Sequence, residues 1–219
     1  KVTLFEGRDE IGGQFTYASK IPGKEEFQET IRYFTALIKK YNIDLKLNTQ
    51  VTAEELAAGG FDDVVVSTGV KPRMPNMPGI DHDKVVSYQD LLANELKLGK
   101  TVAIMGAGGI GFDVGEYLSH EGESLTLNKE AWMKEWGVDI TNQTRGGLIE
   151  GHIEASPRKL YLLQRKSTAL GKGLNKTSGW VHRAVLKMKK VEMIGGVSYD
   201  KIDDQGLHIT ITKGEQSEQ

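Results

Sequence analysis

Val102-Ala103-Ile104-Met105-Gly106-Ala107-Gly108-Gly109-Ile110-Gly111 is the stretch on which the fold turns. Four apolar residues predict a short buried strand. Gly106, Gly108 and Gly111 then stand in G-x-G-x-x-G spacing, and Phe112 to Leu118 continue as a helix. Each glycine answers a separate physical demand: a tight turn, a close backbone approach to a pyrophosphate, and close packing of helix on strand. Free N–H groups at the start of such a helix, aided by its dipole, favour negative charge. Gly106, Ala107, Gly108, Gly109, Ile110 and Gly111 are therefore candidate dinucleotide-binding residues. A tight strand-to-helix turn without a ligand is the plainer alternative. Strand before and helix after are the context that favours binding.

Working downstream, 119–158 is rich in Gly, Glu, Asn and Thr, with Trp132 and Trp136 as its large anchors. It reads as an insertion, because a simple βαβ unit would reach its next strand sooner. That strand is Leu160 to Gln164, and it runs into Arg165-Lys166. An acid at this point would hold the ribose hydroxyls of NAD. A cationic pair instead accepts a 2′-phosphate, the arginine through its bidentate fork. Arg165 and Lys166 are accordingly candidates for NADPH. Fifty-four positions separate Gly111 from Arg165, against about 20 in the usual fingerprint, and the insertion must absorb the difference. Lys172 and Lys176 read as a solvated basic loop. Gly179 to Lys190 predicts a helix with Trp180, Val181, Ala184, Val185 and Met188 on its apolar side, and His182 and Arg183 exposed. Three strands, Val191–Ile194, Val197–Ile202 and Leu207–Thr212, predict a meander with its turn at 203–206.

Upstream, Val2 to Glu6 predicts a strand ending in an acid, a position that can hold a ribose. Taken alone, Glu6 is more often a solvated strand end. Gly12-Gly13 permits a close backbone approach. Lys24 to Tyr41 predicts a helix whose Phe27, Ile31, Phe34, Ile38 and Tyr41 form one buried stripe. Asp44 to Asn48 predicts a strand, and Thr52 with Glu55 a capping box for a helix ending at Gly59-Gly60. Val64-Val65-Val66-Ser67-Thr68-Gly69 predicts an apolar buried strand with a tight exit that abuts a ligand. Pro72, Pro75 and Pro78 make 71–78 an extended connector. Ser87 and Asp90 cap another short helix, through Leu96.

The 219 residues carry 28 Lys+Arg against 30 Asp+Glu, a net charge of −2, which gives no electrostatic case for nucleic acid or an anionic membrane. No apolar run is long enough to span a bilayer. With zero cysteines, the chain itself holds no disulfide, thiolate metal site, cysteine-ligated iron–sulfur cluster or C-x-x-C redox pair. No metal site is expected, and a cytoplasmic location fits this composition best.

Several runs carry a resemblance: Val102 to Asp113, Leu163 to Lys166, Gly173 to Arg183, Ile11 to Phe15, Ile21 to Phe27 and Gly196 to Tyr199. Together they resemble the bacterial NADPH-dependent 2,4-dienoyl-CoA reductase family, which acts in β-oxidation of unsaturated fatty acids. The resemblance implies an α/β, three-layer architecture of Rossmann-like FAD- and NAD(P)-binding domains. It makes 1–97 a partial FAD-binding domain with connector, and 98–219 an NADP-binding domain with the 119–158 insertion. It further implies a C-terminal fragment. An N-terminal barrel would carry FMN, and the iron–sulfur cluster and enoyl-CoA site would also lie outside this sequence.

Carried over position by position, Glu6 matches the FAD ribose acid and Gly12, Gly13 and Gln14 the loop along the flavin. Val51 matches a backbone contact to adenine, and Thr68-Gly69 the exit of a strand. Gly106, Gly108, Gly111 and Arg165 match the NADPH site. The implied share of the reaction is hydride transfer from NADPH to FAD, which asks no acid or base of the protein, so no catalytic residue is expected. The FAD pyrophosphate turn has no counterpart here, which weakens the FAD expectation. An amine dehydrogenase-type flavoprotein and a non-catalytic NADPH-binding module are the alternatives.

Overall fold

A computed structural model describes residues 1–94, 96–213 and 216–218. The chain forms two compact units. Residues 1–20 and 24–72 make the first, and 21–23 with 73–219 the second. The division falls inside the proline-rich connector, where neither helix nor strand forms.

The first unit contains β1 (Thr3–Phe5), α1 (Gln14–Ala18), α2 (Phe27–Lys40), β2 (Asp44–Lys46) and α3 (Ala53–Ala58). β1 and β2 pair in parallel, Thr3 opposite Asp44 and Phe5 opposite Lys46. α3 starts at the expected capping box: Thr52 Oγ1 accepts from the Glu55 N–H (3.2 Å), and the Glu55 carboxylate from the Thr52 N–H (2.8 Å).

Two expectations fail here. α2 forms, but its aromatic stripe is not buried, and Phe34 is 52% exposed. A two-stranded sheet is too narrow to cover a 14-residue helix. Phe34, Ile31 and Ile38 instead border an open apolar cavity of about 390 Å³ with Val2, Leu4 and Phe15. Residues 64–69 form no strand, and Val65 is 88% exposed. A parallel strand is stable only when neighbours satisfy its backbone and cover its side chains, and neither β1 nor β2 pairs with this stretch.

The second unit contains α4 (Tyr88–Asn94), β3 (Thr101–Met105), α5 (Gly109–Leu118), α6 (Lys129–Glu135), β4 (Lys159–Gln164), α7 (Gly179–Met188), β5 (Glu192–Gly195), β6 (Val197–Asp203), β7 (Gly206–Lys213) and β8 (Gln216–Glu218). β3, β4 and β5 form a parallel sheet in that order; β6, β7 and β8 form an antiparallel one. The expected meander is thus corrected at its first strand. Tyr161 of β4 lies opposite Glu192 and Leu163 opposite Ile194, so β5 closes a βαβ crossover through α7. The turn at 203–206 is as expected, with Asp203 opposite Gly206. α4 also starts as expected, the Asp90 N–H donating to Ser87 Oγ (3.0 Å). It ends at Asn94 rather than Leu96, and Glu95 lies outside the described residues.

One core joins α4, α5 and α7 to the parallel sheet: Leu91, Ile104, Phe112, Leu160, Leu162 and Leu186, with Phe112 fully buried. Gly115 on α5 brings that helix against α7, since a Cβ there would stand 3.2 Å from the Leu186 methyls. The buried face of α7 centres on Leu186, whereas Trp180, expected inward, is largely exposed.

Candidate nucleotide site

β3 runs 101–105 and hands directly to the turn. The Gly106 N–H donates to Leu163 O of the neighbouring strand (2.9 Å), and the backbone then swings to φ +113° at Gly106. That region disfavours a side chain. Gly108 is the N-cap of α5 and offers no side chain to the first turn. The leading N–H groups of a helix have no intrahelical acceptor, and no side-chain cap satisfies them here. A Cβ at Gly106, Gly108 or Gly109 would meet nothing within 4 Å. The turn is an open cradle, not one plugged by packing. Gly111 serves the other purpose: a Cβ there would collide with the Gly106 carbonyl oxygen, so α5 lies on the turn only because this residue is glycine. Ala107 packs on the core, and Ile110 is half exposed beside the cradle.

Arg165 and Lys166 follow β4. Since Met105 and Leu163 are opposite one another in the parallel ladder, Gly106 and Arg165 leave the sheet at the same, carboxyl end. Ligands of open α/β sheets bind at that end. Both cationic side chains are exposed. The Lys166 carbonyl accepts from Gly196 N (3.1 Å) and from Gln164 Nε2 (2.8 Å), which fixes the backbone that carries them.

The long separation between turn and arginine has a simple geometry. The insertion leaves from the end of α5, at the amino end of the sheet, and returns to β4 there. Arg158 Nη1 donates to Leu118 O (3.2 Å), and Lys159 lies opposite Thr101 at the start of β3. The excursion therefore closes on the far side from the cradle. Inside it, α6 docks on α7. Buried Lys189 pairs with Glu135 (3.0 Å) and donates to Glu154 O (3.0 Å), and Trp136 meets Trp180 edge to face with ring centres 6.4 Å apart. Trp136 thus packs against the body, and Trp132 stacks on it at the surface.

His182, read as structural, pairs through Nδ1 with the buried Glu116 carboxylate (2.6 Å), tying α7 to α5. Arg183 donates to Gly171 O (3.0 Å). Tyr199, not singled out as a site residue, projects from β6 to the cradle. Its hydroxyl donates to Leu163 O (3.2 Å). Burial raises its pKa, while Arg165 and the Gly106 N–H act in the opposite direction. The run Gly196 to Tyr199 carries the resemblance but no binding motif, because β6 reaches the site only through the turn at Gly195-Gly196.

In the first unit, Glu6 follows β1, and its Oε1 accepts from the Arg8 N–H (2.9 Å). The Arg8 guanidinium donates to Gly13 O (3.3 Å) and Thr16 Oγ1 (3.2 Å). Glu6, Gly12 and Gly13 are thereby gathered at one sheet end around an arginine that sequence reasoning missed. A Cβ at Gly12 would press on Thr16 and Ile31, whereas Gly13 opens on free space. Gln14 is the exposed first residue of α1, and Val51 precedes the α3 cap, half-buried. Thr68 and Gly69 lie exposed on the unpaired stretch and are not drawn into a sheet end. An acid and a glycine pair fit the ribose and flavin side of FAD, but residues 1–72 offer no phosphate-cradling turn. The second unit, by contrast, fits a nicotinamide dinucleotide at both its pyrophosphate and its adenosine ribose. Among the described residues no cluster of metal-ligating groups occurs, and no helix is long and apolar enough to cross a membrane.

Residues 1–219 match the family described as pyridine nucleotide-disulphide oxidoreductase. The chain is 26% identical over 213 residues to a metal reductase of Desulforamulus reducens, covering 94% of this chain and 30% of that protein. An N,N-dimethylglycine/sarcosine dehydrogenase of Chromohalobacter salexigens is 32% identical over 58% of this chain and 20% of its own length. Among solved structures, a 2-naphthoyl-CoA reductase complexed with 2-naphthoyl-CoA superposes with a TM-score of 0.74 at 27% identity, covering 99% of this chain and 27% of the other. The chain thus spans about a third or less of these relatives.

Proposed function

The chain belongs to the pyridine nucleotide-disulphide oxidoreductase family, flavoprotein oxidoreductases of Rossmann-like α/β fold that bind FAD and NAD(P)H, and from that premise we propose that it seats NADPH within a reductase of conjugated acyl-CoA thioesters, the 2,4-dienoyl-CoA class. Zero cysteines separate it from a dithiol mechanism housed in this chain. One observation carries the reading: the open, uncapped glycine turn at 106–111 and the exposed Arg165 emerge side by side at one sheet end. The first-turn N–H groups of α5 would hold the pyrophosphate, and Arg165, with Lys166 beside it, the 2′-phosphate. Residues 98–219 then form the NADP side, and 1–97 the flavin side, with Glu6, Gly12, Gly13, Gln14, Val51, Thr68 and Gly69 as its binding positions. Bound there, the nicotinamide would supply a hydride to FAD. FMN, an iron–sulfur centre and the thioester would belong to a barrel partner domain. The likeness to a CoA-thioester reductase supports the substrate class, and the proposed location is the cytoplasm.

The test is calorimetric titration of NADPH and NADH into the wild type and Arg165→Ala. NADPH is expected to bind at least about tenfold more tightly than NADH in the wild type, as befits one charge-assisted phosphate contact, and about equally in the variant. Equal affinities in the wild type would overturn the assignment. A second reading, an amine dehydrogenase-type flavoprotein, is favoured by the sarcosine dehydrogenase likeness. It is the outcome indicated if neither nucleotide binds.

A further inference from the structure

We propose that Tyr199 is a positioning residue for nucleotide choice, its hydroxyl setting the spacing between the N–H cradle and Arg165. The inference rests on the NADPH reading above and adds a residue to it.

Leu163 O is the pivot. It accepts the Gly106 N–H (2.9 Å) and the Tyr199 hydroxyl (3.2 Å) at once. The Gly106 bond fastens the first residue of the cradle to β4. The tyrosine bond fastens the same carbonyl to β6. Two residues after Leu163, just past the end of β4, is Arg165, and the carbonyl of the residue after it, Lys166 O, receives the Gly196 N–H (3.1 Å). The backbone that bears Arg165 is therefore held on one side by Leu163 and on the other by Lys166, and both holds lead to the start of β6. Glycine turns cannot keep such a register by themselves, since they have no side chains to pack. A rigid aromatic reaching in from a second sheet supplies it. Recognition of a 2′-phosphate and a pyrophosphate on one ligand depends on that spacing, because both anions must be met together.

Tyr199→Phe keeps the ring and removes the hydroxyl. Wild type, Y199F, R165A and the double variant are titrated with NADPH and NADH, with thermal melts in parallel. Y199F is expected to weaken NADPH by about five- to tenfold, in keeping with one lost hydrogen bond, and NADH by about twofold or less. In the R165A background the same change is expected to leave the NADPH-to-NADH ratio unaltered, the non-additivity that marks two residues acting through one contact. A purely structural tyrosine would lower the melting temperature and weaken both nucleotides alike, and that result would overturn the inference. So would an unchanged ratio in Y199F. A wild type that does not discriminate NADPH from NADH is a different failure, because it removes the NADPH reading itself.

Discussion

A methyl group added at Gly111 would land on the Gly106 carbonyl oxygen, so Gly111→Ala must push α5 off the turn or distort the cradle. Overpacking of this kind costs about 1–3 kcal/mol, and calorimetry should find a lowered melting temperature together with lost nucleotide affinity. Asp139 offers a residue-scale test by pH. Its buried carboxylate accepts from the Thr141 hydroxyl (2.6 Å) and N–H (2.9 Å), the Thr144 N–H (2.8 Å) and the Gln143 N–H (2.8 Å). The Thr141 hydroxyl first, then the backbone donors of Thr144 and Thr141, hold its pKa far below the ordinary aspartate range. A depressed folded pKa means the contribution is complete above the unfolded value of about 3.9 and declines as pH falls below it. Amide protection at Thr141, Gln143 and Thr144, taken relative to the intrinsic exchange rate at each pH, should therefore fall on acidification below about pH 4. Asp139→Asn should show fast exchange at neutral pH and no such dependence. A wild-type loop whose exchange protection is unchanged in acid would refute this.

Among the elements, α5 concentrates both stability and site. Phe112 is fully buried in its first turn, and Phe112→Ala should cost about 3–5 kcal/mol in chemical denaturation, the range for deleting a buried aromatic. α6 depends on a different bond. Lys189→Ala leaves the half-dry Glu135 carboxylate without its cation, which costs about 3–5 kcal/mol when such a pair is broken. The change in tryptophan fluorescence should report α6 coming away from Trp180. The local signals of these elements were legible in the chain: the glycine turn, the capping box at Thr52 and Glu55, and the turn closing at Gly206 are each encoded within a few residues. The insertion was legible as such but its internal arrangement was not, because Asp139 and Lys189 organise it through hydrogen bonds that leave no periodic pattern. Nor was the place of β5. Its residues suit either sheet, and only the crossover through α7 decides that it pairs with β4.

For the whole molecule, what sequence could not supply was the neighbour each piece needs. Val64 to Val66 read as a buried strand from composition, yet pairing partners and not propensity decide whether a strand forms. The aromatic stripe of α2 has the right period but only two short strands to lie on. Tyr199 joins a site by crossing from another segment, a relation invisible to spacing along the chain, whereas Arg8 lies within the loop it braces but belongs to no motif. The two candidate nucleotide positions differ in the same way. The second unit brings turn, helix start and arginine together, whereas the first brings an acid and glycines without a phosphate cradle.

The central claim is that the 106–111 turn and Arg165 hold one ligand between them, and the most direct measurement is an NMR titration of isotope-labelled protein with NADPH. Amides of Gly108, Gly109 and Ile110 should shift with the same saturation curve as those of Arg165 and Lys166. Shifts confined to other segments, or two separate curves for the turn and the arginine, would contradict it.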